Sequence, residues 1–315
     1  MKVIVQIPCL NEEKTLPLVI NSIPKKIKGV NELEILVIDD GSKDDTVEVA
    51  KKLGVKHFVI HRSNLGLARS FHDGALKALS LGADIVVNTD GDNQYPQDKI
   101  PELIKPILDG EAEIVIADRQ THKIAHFSFT KKLLQRLGTK VVNFAAGTDI
   151  PDAASGFRAY SKESLLLINT VTTFSYVIET TIQAGNKRLA IKSIPVDTNP
   201  KLRESRLFKS TPEHVFKSGV TVVRAYIMYK PFVIFSSLAT ILFVGGLIPF
   251  VRYFILRLDH NTGNHLQSLL IGAVLFIGAF LALALGVIAD LIRINRALNE
   301  KSLEYSKRQM LNIKF

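Results

Sequence analysis

Two long uncharged stretches constrain the fold of this chain more than any other feature. Residues 231–251 and 268–289 contain no Asp, Glu, Lys or Arg. As helices, both are long enough to cross the roughly 30 Å hydrocarbon core of a bilayer. Their glycines and proline are better tolerated in membrane spans than in soluble helices. The pattern predicts two transmembrane helices, and the alternative is a buried helical hairpin in a soluble core.

Basic residues crowd the ends of these stretches, in a chain of 315 residues with a net charge of +10. They are Lys209, Lys217, Arg224 and Lys230 before the first stretch, and Arg293, Arg296, Lys301, Lys307 and Arg308 after the second. Anionic headgroups attract such residues, so the charge indicates a membrane surface and not nucleic acid. Cytoplasmic flanks carry an excess of Lys and Arg. We therefore expect an integral, multi-pass membrane protein with its amino-terminal domain in the cytoplasm.

The first two hundred residues alternate short β-rich runs with helical stretches. The runs are residues 2–7, 34–39, 57–61, 85–88, 114–117 and 190–195. This alternation predicts an α/β domain with a Rossmann-like, mostly parallel sheet and covering helices. We expect a catalytic domain at 1–210, an amphipathic juxtamembrane segment at 211–230, the spans at 231–290 and a basic cytoplasmic tail at 291–315.

Two carboxylates, Asp90 and Asp92, follow the apolar run that ends at Asn88. Two charged carboxylates cannot both be buried without a counterion, because an unpaired buried carboxylate is costly or takes up a proton. Mg²⁺ or Mn²⁺ suits them, since these ions prefer carboxylate oxygens and usually keep water and phosphate oxygens in their other positions. The alternative is that both residues cap a turn, where Asp is common.

Three polar loops follow predicted strands, at residues 8–12, 39–42 and 90–94. Ligands of such sheets bind outside the carboxyl ends of the strands, so we expect these loops to share one crevice. The chain lacks the glycine pattern of dinucleotide-binding folds and the P-loop motif. A nucleotide would have to be bound in another way.

These loops, in their order and spacing, resemble the GT-A glycosyltransferases of family 2, and within them the membrane-anchored polyprenyl-phosphate sugar transferases. The matching segments are residues 7–13, 37–44, 64–66, 90–94, 118–119 and 152–158. The resemblance covers residues 1 to about 210, and the two uncharged stretches match the membrane-anchored branch of the family.

The resemblance implies a role for each matching residue. It places Pro8, Leu10, Glu12 and Asp39 in the nucleoside pocket, with Asp39 near the base. Asp90, Asp92 and Gln94 would organise the metal and the donor diphosphate, with Gly91 in the same binding loop. Arg119 would face the phosphates or the sugar. Asp92, Arg119 and Asp152 are thus the expected catalytic residues.

Asp152 is the base that the resemblance suggests, but it could equally cap the turn at residues 155–157. A phosphate monoester has its second pKa near 6, so a lipid-phosphate acceptor needs little help from a base. Basic residues that bind the acceptor phosphate matter more. Lys201, Arg203 and Arg206 resemble the family's acceptor loop, although Arg203 replaces a glycine and Arg206 a lysine; the alternative is a juxtamembrane basic patch.

The resemblance therefore implies an inverting transfer of one sugar from a UDP- or GDP-linked donor to a polyprenyl phosphate. Two alternatives stay open: a transferase of this fold with another lipid or glycan acceptor, and a non-catalytic membrane scaffold that binds nucleotide. A processive synthase is disfavoured, because the chain has no tryptophan for the expected acceptor motif. Glycines of the two stretches could also pack the spans into a homo-oligomer.

Overall fold

A computed structural model describes residues 1–121, 129–170, 176–200, 220, 223, 226–258 and 266–313. The chain divides into two compact units. The first comprises Met1–Val223 together with Glu304–Phe315, and the second comprises Arg224–Leu303. The sequence-predicted domain limits stay a prediction.

The first unit is built on one sheet. Its strands are β1 (Lys2–Cys9), β2 (Glu32–Asp39), β3 (His57–Ile60), β4 (Ile85–Asn88), β5 (Ile114–Asp118), β6 (Arg158–Ser161) and β7 (Ile191–Pro195). Their order is β3-β2-β1-β4-β6-β5-β7. Neighbouring strands are parallel except at β6, which is antiparallel to both β4 and β5. The expectation of a mostly parallel α/β sheet is confirmed.

Strand β6 was absent from the sequence-based prediction. It has four residues, and the first of them, Arg158, is a charged residue that is fully buried. A short segment that starts with arginine lacks the apolar pattern by which buried strands are recognised. Because β6 is antiparallel, it begins at the edge where β4 and β5 end.

Helices cover the sheet on both faces. Those of the first unit are α1 (Leu16–Ser22), α2 (Thr46–Lys52), α3 (Leu67–Ser80), α4 (Ile100–Leu108), α5 (Phe129–Ala146), α6 (Lys162–Leu167) and α7 (Tyr176–Asn186). Alternate residues of β1 belong to opposite cores, with Val3 and Val5 in one and Ile4 in the other. Helices α1 and α4 contribute to the first core, and α3 and α7 to the second.

Two long apolar helices follow, α8 (Pro231–Leu258) and α9 (Leu266–Met310), and both are long and apolar enough to cross a membrane. In the second unit they approach each other at Gly246 and Gly272. A Cβ atom on Gly246 would lie 3.2 Å from the Gly272 carbonyl oxygen, and one on Gly272 would lie 2.5 Å from the Phe250 ring. These glycines therefore pack the two helices within one chain, and an oligomer formed by the spans stays a prediction.

Helix α9 continues beyond the apolar stretch and its last turns belong to the first unit. There the Lys307 ammonium donates to the Ile168 carbonyl oxygen at 3.1 Å and to Asn169 Oδ1 at 2.7 Å. Leu311 and Ile313 pack against the second core. The end of the sequence-predicted basic tail is thus part of the α/β unit.

Candidate active site

The polar loops predicted from the sequence meet at one edge of the sheet. Strands β1, β2, β4 and β5 all end there, because they run in the same direction. The segment that leads into the antiparallel strand β6 reaches the same edge from the opposite direction. Residues 152–157 therefore join the loops that follow the parallel strands.

The loops after β1 and β2 are connected by hydrogen bonds between side chains and backbone. The Asn11 amide donates to Ser42 Oγ at 2.8 Å, and the Lys43 amide donates to Asn11 Oδ1 at 2.7 Å. The amide of Glu12 donates to Thr46 Oγ1, and its buried carboxylate accepts from Thr15. Pro8 is buried in β1, and Leu10 is partly exposed in the loop. The loops after β1 and β2 are therefore held together by direct hydrogen bonds.

Asp39 ends β2 with its carboxylate almost fully buried. Oδ2 accepts from the Ser42 amide at 3.2 Å, whereas Oδ1 has no hydrogen-bond partner among the described residues. The turn that follows requires Gly41, which has a φ of +78° and whose Cβ would lie 2.7 Å from the Ser63 backbone. A buried carboxylate oxygen without a donor is costly, so Asp39 is suited to bind an N–H group of a ligand.

Asp90 and Asp92 follow β4, and both are partly exposed. Asp92 Oδ1 accepts from the Gln94 amide at 3.1 Å. Asn199, which follows β7, fixes this loop with two hydrogen bonds. Its side-chain amide donates to the Asn93 carbonyl oxygen at 3.0 Å, and its backbone amide donates to the Gln94 carbonyl oxygen at 2.9 Å. The loop therefore has a defined backbone, and both of its carboxylates are partly exposed.

The segment before β6 passes directly beside Asp90. A Cβ atom on Gly156 would lie 3.4 Å from Asp90 Oδ2. The Gly156 amide donates to the Tyr95 hydroxyl at 2.9 Å, and its carbonyl oxygen accepts from Asn88 at 3.0 Å. Burial raises the pKa of Tyr95 to about 12, so this phenol stays protonated and holds the segment as a neutral group.

Arg119 and Asp152 form a buried bidentate ion pair. Arg119 Nε lies 2.7 Å from Asp152 Oδ2, and Nη2 lies 2.9 Å from Oδ1. Burial alone would raise the pKa of Asp152, but the Arg119 charge and its hydrogen bonds outweigh burial and lower that pKa. Asp152 is therefore an anion that orients Arg119, and its carboxylate also accepts from the Ala154 amide, as a turn-capping residue does.

The carboxylates after β4 fit a hard divalent ion. Among the described residues, no three His, Cys, Asp or Glu side chains are placed to enclose a metal. Two carboxylates at an open edge instead suit Mg²⁺ or Mn²⁺, which complete their coordination with water and substrate phosphate oxygens. Asp90 and Asp92 are the residues that would bind the ion, with Gln94 in the same loop.

Sequence reasoning missed one buried cluster at this edge. Asp40 accepts from the amides of Leu65 and Gly66, both at 2.9 Å, and its Oδ1 lies 2.8 Å from His61 Nδ1. It thereby ties the loop before α3 to the end of β2. The paired aspartates at 39–40 and the Asn-Leu-Gly segment were visible in the sequence, but their contact depends on the crossover between β2 and α3.

The buried Arg158 is a second missed contributor. Its guanidinium donates to the carbonyl oxygens of Ala153 and Ser155 at 2.8 and 2.7 Å. It also donates to Val177 O, Thr180 Oγ1 and Thr181 Oγ1 of α7. Arg158 thus joins the segment that carries Asp152 to helix α7.

The proposed acceptor residues Lys201, Arg203 and Arg206 lie outside the described residues.

The family model for glycosyl transferase family 2 matches residues 4–167, which include every loop described above. This match covers more than half of the chain. The chain belongs to glycosyltransferase family 2.

Curated relatives of this glycosyltransferase carry related names. The UDP-N-acetylglucosamine–dolichyl-phosphate N-acetylglucosaminyltransferase of Methanococcus voltae is 30% identical over 61% of this chain and 83% of its own. The polyprenol monophosphomannose synthase of Mycolicibacterium smegmatis is 26% identical over 62% and 76%. The dolichol-phosphate mannosyltransferase of Pyrococcus furiosus is 36% identical over 52% and 47%.

Solved structures show the fold of the transferase. Glucosyl-3-phosphoglycerate synthase from Mycobacterium tuberculosis, in complex with phosphoglyceric acid, superimposes with a TM-score of 0.55 and 24% identity over 72% of this chain and 79% of its own. The same synthase in complex with Mn²⁺, UDP and glucosyl-3-phosphoglycerate gives a TM-score of 0.54. The GT-A fold expected from the sequence is confirmed.

Proposed function

We propose that this glycosyltransferase transfers one sugar, with inversion, from a UDP- or GDP-linked donor to a polyprenyl phosphate at the cytoplasmic face of a membrane. The observation that carries the proposal is the pairing of two acidic sites at one edge of the sheet. Asp39 offers a buried oxygen with no hydrogen-bond partner among the described residues, and Asp90 and Asp92 offer partly exposed carboxylates. The first suits the N–H group of a base, and the second suits a metal-bound diphosphate.

The reaction requires little acid–base chemistry from the protein. An oxygen of the acceptor phosphate attacks the anomeric carbon while the bond from that carbon to the donor diphosphate oxygen breaks. The products are a sugar phosphodiester and a free nucleoside diphosphate. The acceptor phosphate is largely a dianion at pH 7, so no proton must be removed before attack. A single displacement of this kind inverts the anomeric carbon.

Charge on the leaving diphosphate is the main difficulty of the reaction. Mg²⁺ or Mn²⁺, held by Asp90 and Asp92, would supply positive charge there. Arg119 adds a fixed cation, since Asp152 and burial together keep its orientation. Preorganised charge of this kind stabilises a transition state without further rearrangement. Asp152 accordingly serves as a positioning residue in this proposal.

The acceptor class is supported by the relatives. Their names differ in the sugar, N-acetylglucosamine in one and mannose in two, but each names a polyprenol or dolichol phosphate. The two candidate spans agree with a lipid substrate. We propose Lys201, Arg203 and Arg206 as ligands of the acceptor phosphate, because basic side chains beside a membrane span suit a phosphate at the headgroup level.

Transfer of label into lipid tests the proposal. Purified full-length protein, polyprenyl phosphate and a panel of radiolabelled UDP- and GDP-sugars are incubated with Mg²⁺ or Mn²⁺, or with EDTA. We expect one donor to label the organic-extractable fraction only when metal is present. Product analysis by NMR of the anomeric proton then reports inversion.

Two results would contradict the proposal in different ways. Label in a water-soluble glycan or another lipid would reject the acceptor, and an EDTA-resistant transfer would reject the metal. Replacing Arg203 and Arg206 with alanine should raise the KM for the acceptor more than that for the donor. A change confined to the donor KM would reject the assignment of this loop.

A further inference from the structure

One residue, Asn199, binds three consecutive carbonyl groups of the loop after β4. Its side-chain amide donates to the carbonyl oxygens of Asn93 and Tyr95 at 3.0 and 3.2 Å, and its backbone amide donates to that of Gln94 at 2.9 Å. A side-chain amide nitrogen carries two hydrogens, so Asn199 uses both of them and its backbone N–H on this one loop. The carbonyl groups of residues 93–95 therefore depend on a single residue from another part of the chain.

The same loop is shaped from its other side by Asp92. Oδ1 of Asp92 accepts from the amide of Gln94, two residues further on, which is the hydrogen bond of an Asx-turn. Between these two residues, Asn93 has a φ of +61°, in the left-handed region that asparagine tolerates better than most residues. The turn fixes the Asp92 carboxylate relative to the backbone, and Asn199 fixes the backbone of the turn.

Asn199 reaches this loop from a distant strand. It lies four residues after the end of β7, which is separated from β4 in the sheet by β5 and β6. The Val196 amide still donates to the Asp118 carbonyl oxygen, at the end of β5, at 2.8 Å. Three further residues of extended chain span about 10 Å. Residues 196–199, here called the crossing segment, thus pass over the edge of the sheet from β5 to the loop after β4.

Both ends of the crossing segment are restrained. Val196 is buried in the first core of the α/β unit. Pro200 follows Asn199, and the residue before a proline is confined to extended conformations. The donors of Asn199 are therefore held in place by the core at one end and by a restricted backbone at the other.

We propose that Asn199 is a positioning residue for the metal, which holds residues 92–95 in the turn that presents the Asp92 carboxylate to the ion. The inference rests on the proposed function for the metal site at Asp90 and Asp92, and it is independent of the sugar and of the acceptor. Asn199 acts through the loop backbone, since its N–H groups are all used by the three carbonyl oxygens.

The physical basis is the cost of ordering a loop when it binds a ligand. Conformational freedom that is lost on binding reduces the free energy of binding. If only a tenth of the molecules hold the binding conformation, the dissociation constant is about tenfold higher than its intrinsic value. Without Asn199, water would solvate the three carbonyl groups in many loop conformations. Asn199 therefore raises the affinity for the metal by removing those alternatives.

Binding of Mn²⁺ tests this role without any turnover. Full-length wild type, Asn199→Ala and Asn199→Asp are titrated with Mn²⁺ in the presence of UDP and, in parallel, of GDP. The EPR signal of the free ion gives the bound fraction against a protein-free control. We expect the dissociation constant for Mn²⁺ to rise about tenfold in both variants, with the nucleotide that supports binding to wild type.

Asn199→Asp separates the lost hydrogen bonds from an effect of charge. The added carboxylate keeps the size of the side chain, and its negative charge would by itself attract a cation. It cannot donate to the carbonyl oxygens of Asn93 and Tyr95. Weaker binding of Mn²⁺ in this variant must therefore come from the lost hydrogen bonds, whereas tighter binding would overturn the proposal.

Asp197→Asn is the matched control, because Asp197 is an exposed residue of the same crossing segment. Its dissociation constant for Mn²⁺ should equal that of wild type. Melting temperatures measured without metal should agree within about 3 °C for all four proteins, since Asn199 is partly exposed and water can replace its donors. A lower melting temperature of Asn199→Ala with unchanged Mn²⁺ binding would show a merely structural role and overturn the proposal.

The transfer assay separates this inference from the proposed function. Both Asn199 variants should need about tenfold more Mn²⁺ for half-maximal rate, with a kcat at saturating Mn²⁺ within about threefold of wild type. Transfer to another acceptor, with Mn²⁺ binding as expected, would reject only the proposed acceptor. Absence of Mn²⁺ binding in wild type would reject the proposed metal site and this inference together, and equal binding in wild type and Asn199→Ala would reject this inference alone.

Discussion

At the scale of single residues, the Arg119–Asp152 pair holds a cation in a fixed orientation at the site. Both groups are nearly buried, with 10% and 5% of their side chains exposed. Such a pair gains little net stability over apolar residues, but removing one partner leaves an uncompensated charge in a medium that solvates it poorly. The pair therefore fixes the orientation of the Arg119 guanidinium, and breaking it destabilises the folded state.

Asp152→Asn should lower the free energy of unfolding by about 3–5 kcal/mol, the usual cost of breaking a buried ion pair. Because the pKa of Asp152 is lowered on folding, its carboxylate stabilises the folded state fully above its ordinary pKa of about 3.9. That contribution is lost as the pH falls below this value through the folded-state pKa. Thermal unfolding of both proteins from pH 8 to pH 3 measures the difference.

The same experiment tests the role of Asp152 as a base. The difference in stability between wild type and Asp152→Asn should be constant from pH 8 to pH 5. A base adapted to neutral pH would have a pKa close to the working pH. A stability difference that changes between pH 5 and pH 8 would therefore favour the base and contradict the assignment of a positioning residue.

Asp92→Asn keeps the shape of the side chain and removes its charge. We expect metal-dependent transfer to fall at least about a hundredfold, since charge stabilisation of the leaving group is lost. Asp98→Asn, at an exposed position shortly after the same loop, is the control and should retain activity. Near-normal turnover of Asp92→Asn, measured with saturating donor and metal, would reject the metal site.

At the scale of elements, the antiparallel strand β6 organises the site. It lies between β4 and β5, so the segment before it crosses the edge where Asp90 and Arg119 are located. The guanidinium of Arg158 joins that segment to α7 through hydrogen bonds to five oxygen atoms. A planar guanidinium with a fixed set of donors can satisfy such a set of acceptors, whereas an ammonium cannot.

Arg158→Lys should lower stability by about 3 kcal/mol or more, because several buried acceptors lose their donor at about 1–3 kcal/mol each. For a unit of this size, that corresponds to a fall of roughly 6–12 °C in the melting temperature. Arg188→Lys, at an exposed position just after α7, is the matched control and should unfold like wild type. An Arg158→Lys melting temperature equal to that of the control would contradict the supporting role.

At the scale of the whole molecule, the carboxyl-terminal end of α9 completes the α/β unit. Lys307 lies against the carbonyl oxygens of Leu166 and Ile168 at the end of α6, where a cation is favoured. Arg308 forms an ion pair with Glu163 at the start of α6. Leu311 and Ile313 pack against the core that contains Phe71 and Tyr176. The chain thus returns to its catalytic unit after its second apolar helix.

Lys307→Met should destabilise the α/β unit by about 1–3 kcal/mol, since the carbonyl oxygen of Ile168 and Oδ1 of Asn169 lose their donor. Lys301→Met, an exposed lysine of the same helix, is the control. Thermal unfolding of the full-length proteins in one detergent compares the two. If both substitutions have the same small effect, the contacts of Lys307 are not needed for the stability of the unit.

Local patterns predicted the parallel strands and the loops that follow them, since buried strands are apolar runs and carboxylates at their ends are unusual. The same patterns did not predict β6, because a buried arginine interrupts the apolar signal. They also left α5 unnoticed as a surface. The spacing of Leu133, Leu137 and Val141 is ordinary amphipathic periodicity in sequence, and only the burial of Val142 and Ala145 shows that Leu137 and Val141 lie on the exposed side of the helix.

The sequence by itself determined the family, the α/β class, the acidic loops and two helices able to cross a membrane, because each of these depends on residues close together in the chain. The tertiary structure decided which groups meet. It paired Arg119 with Asp152, placed Gly156 beside Asp90 and joined Lys307 to the end of α6, over separations of 33, 66 and about 140 residues. Such contacts depend on strand order and direction, and no local pattern of side chains encodes them.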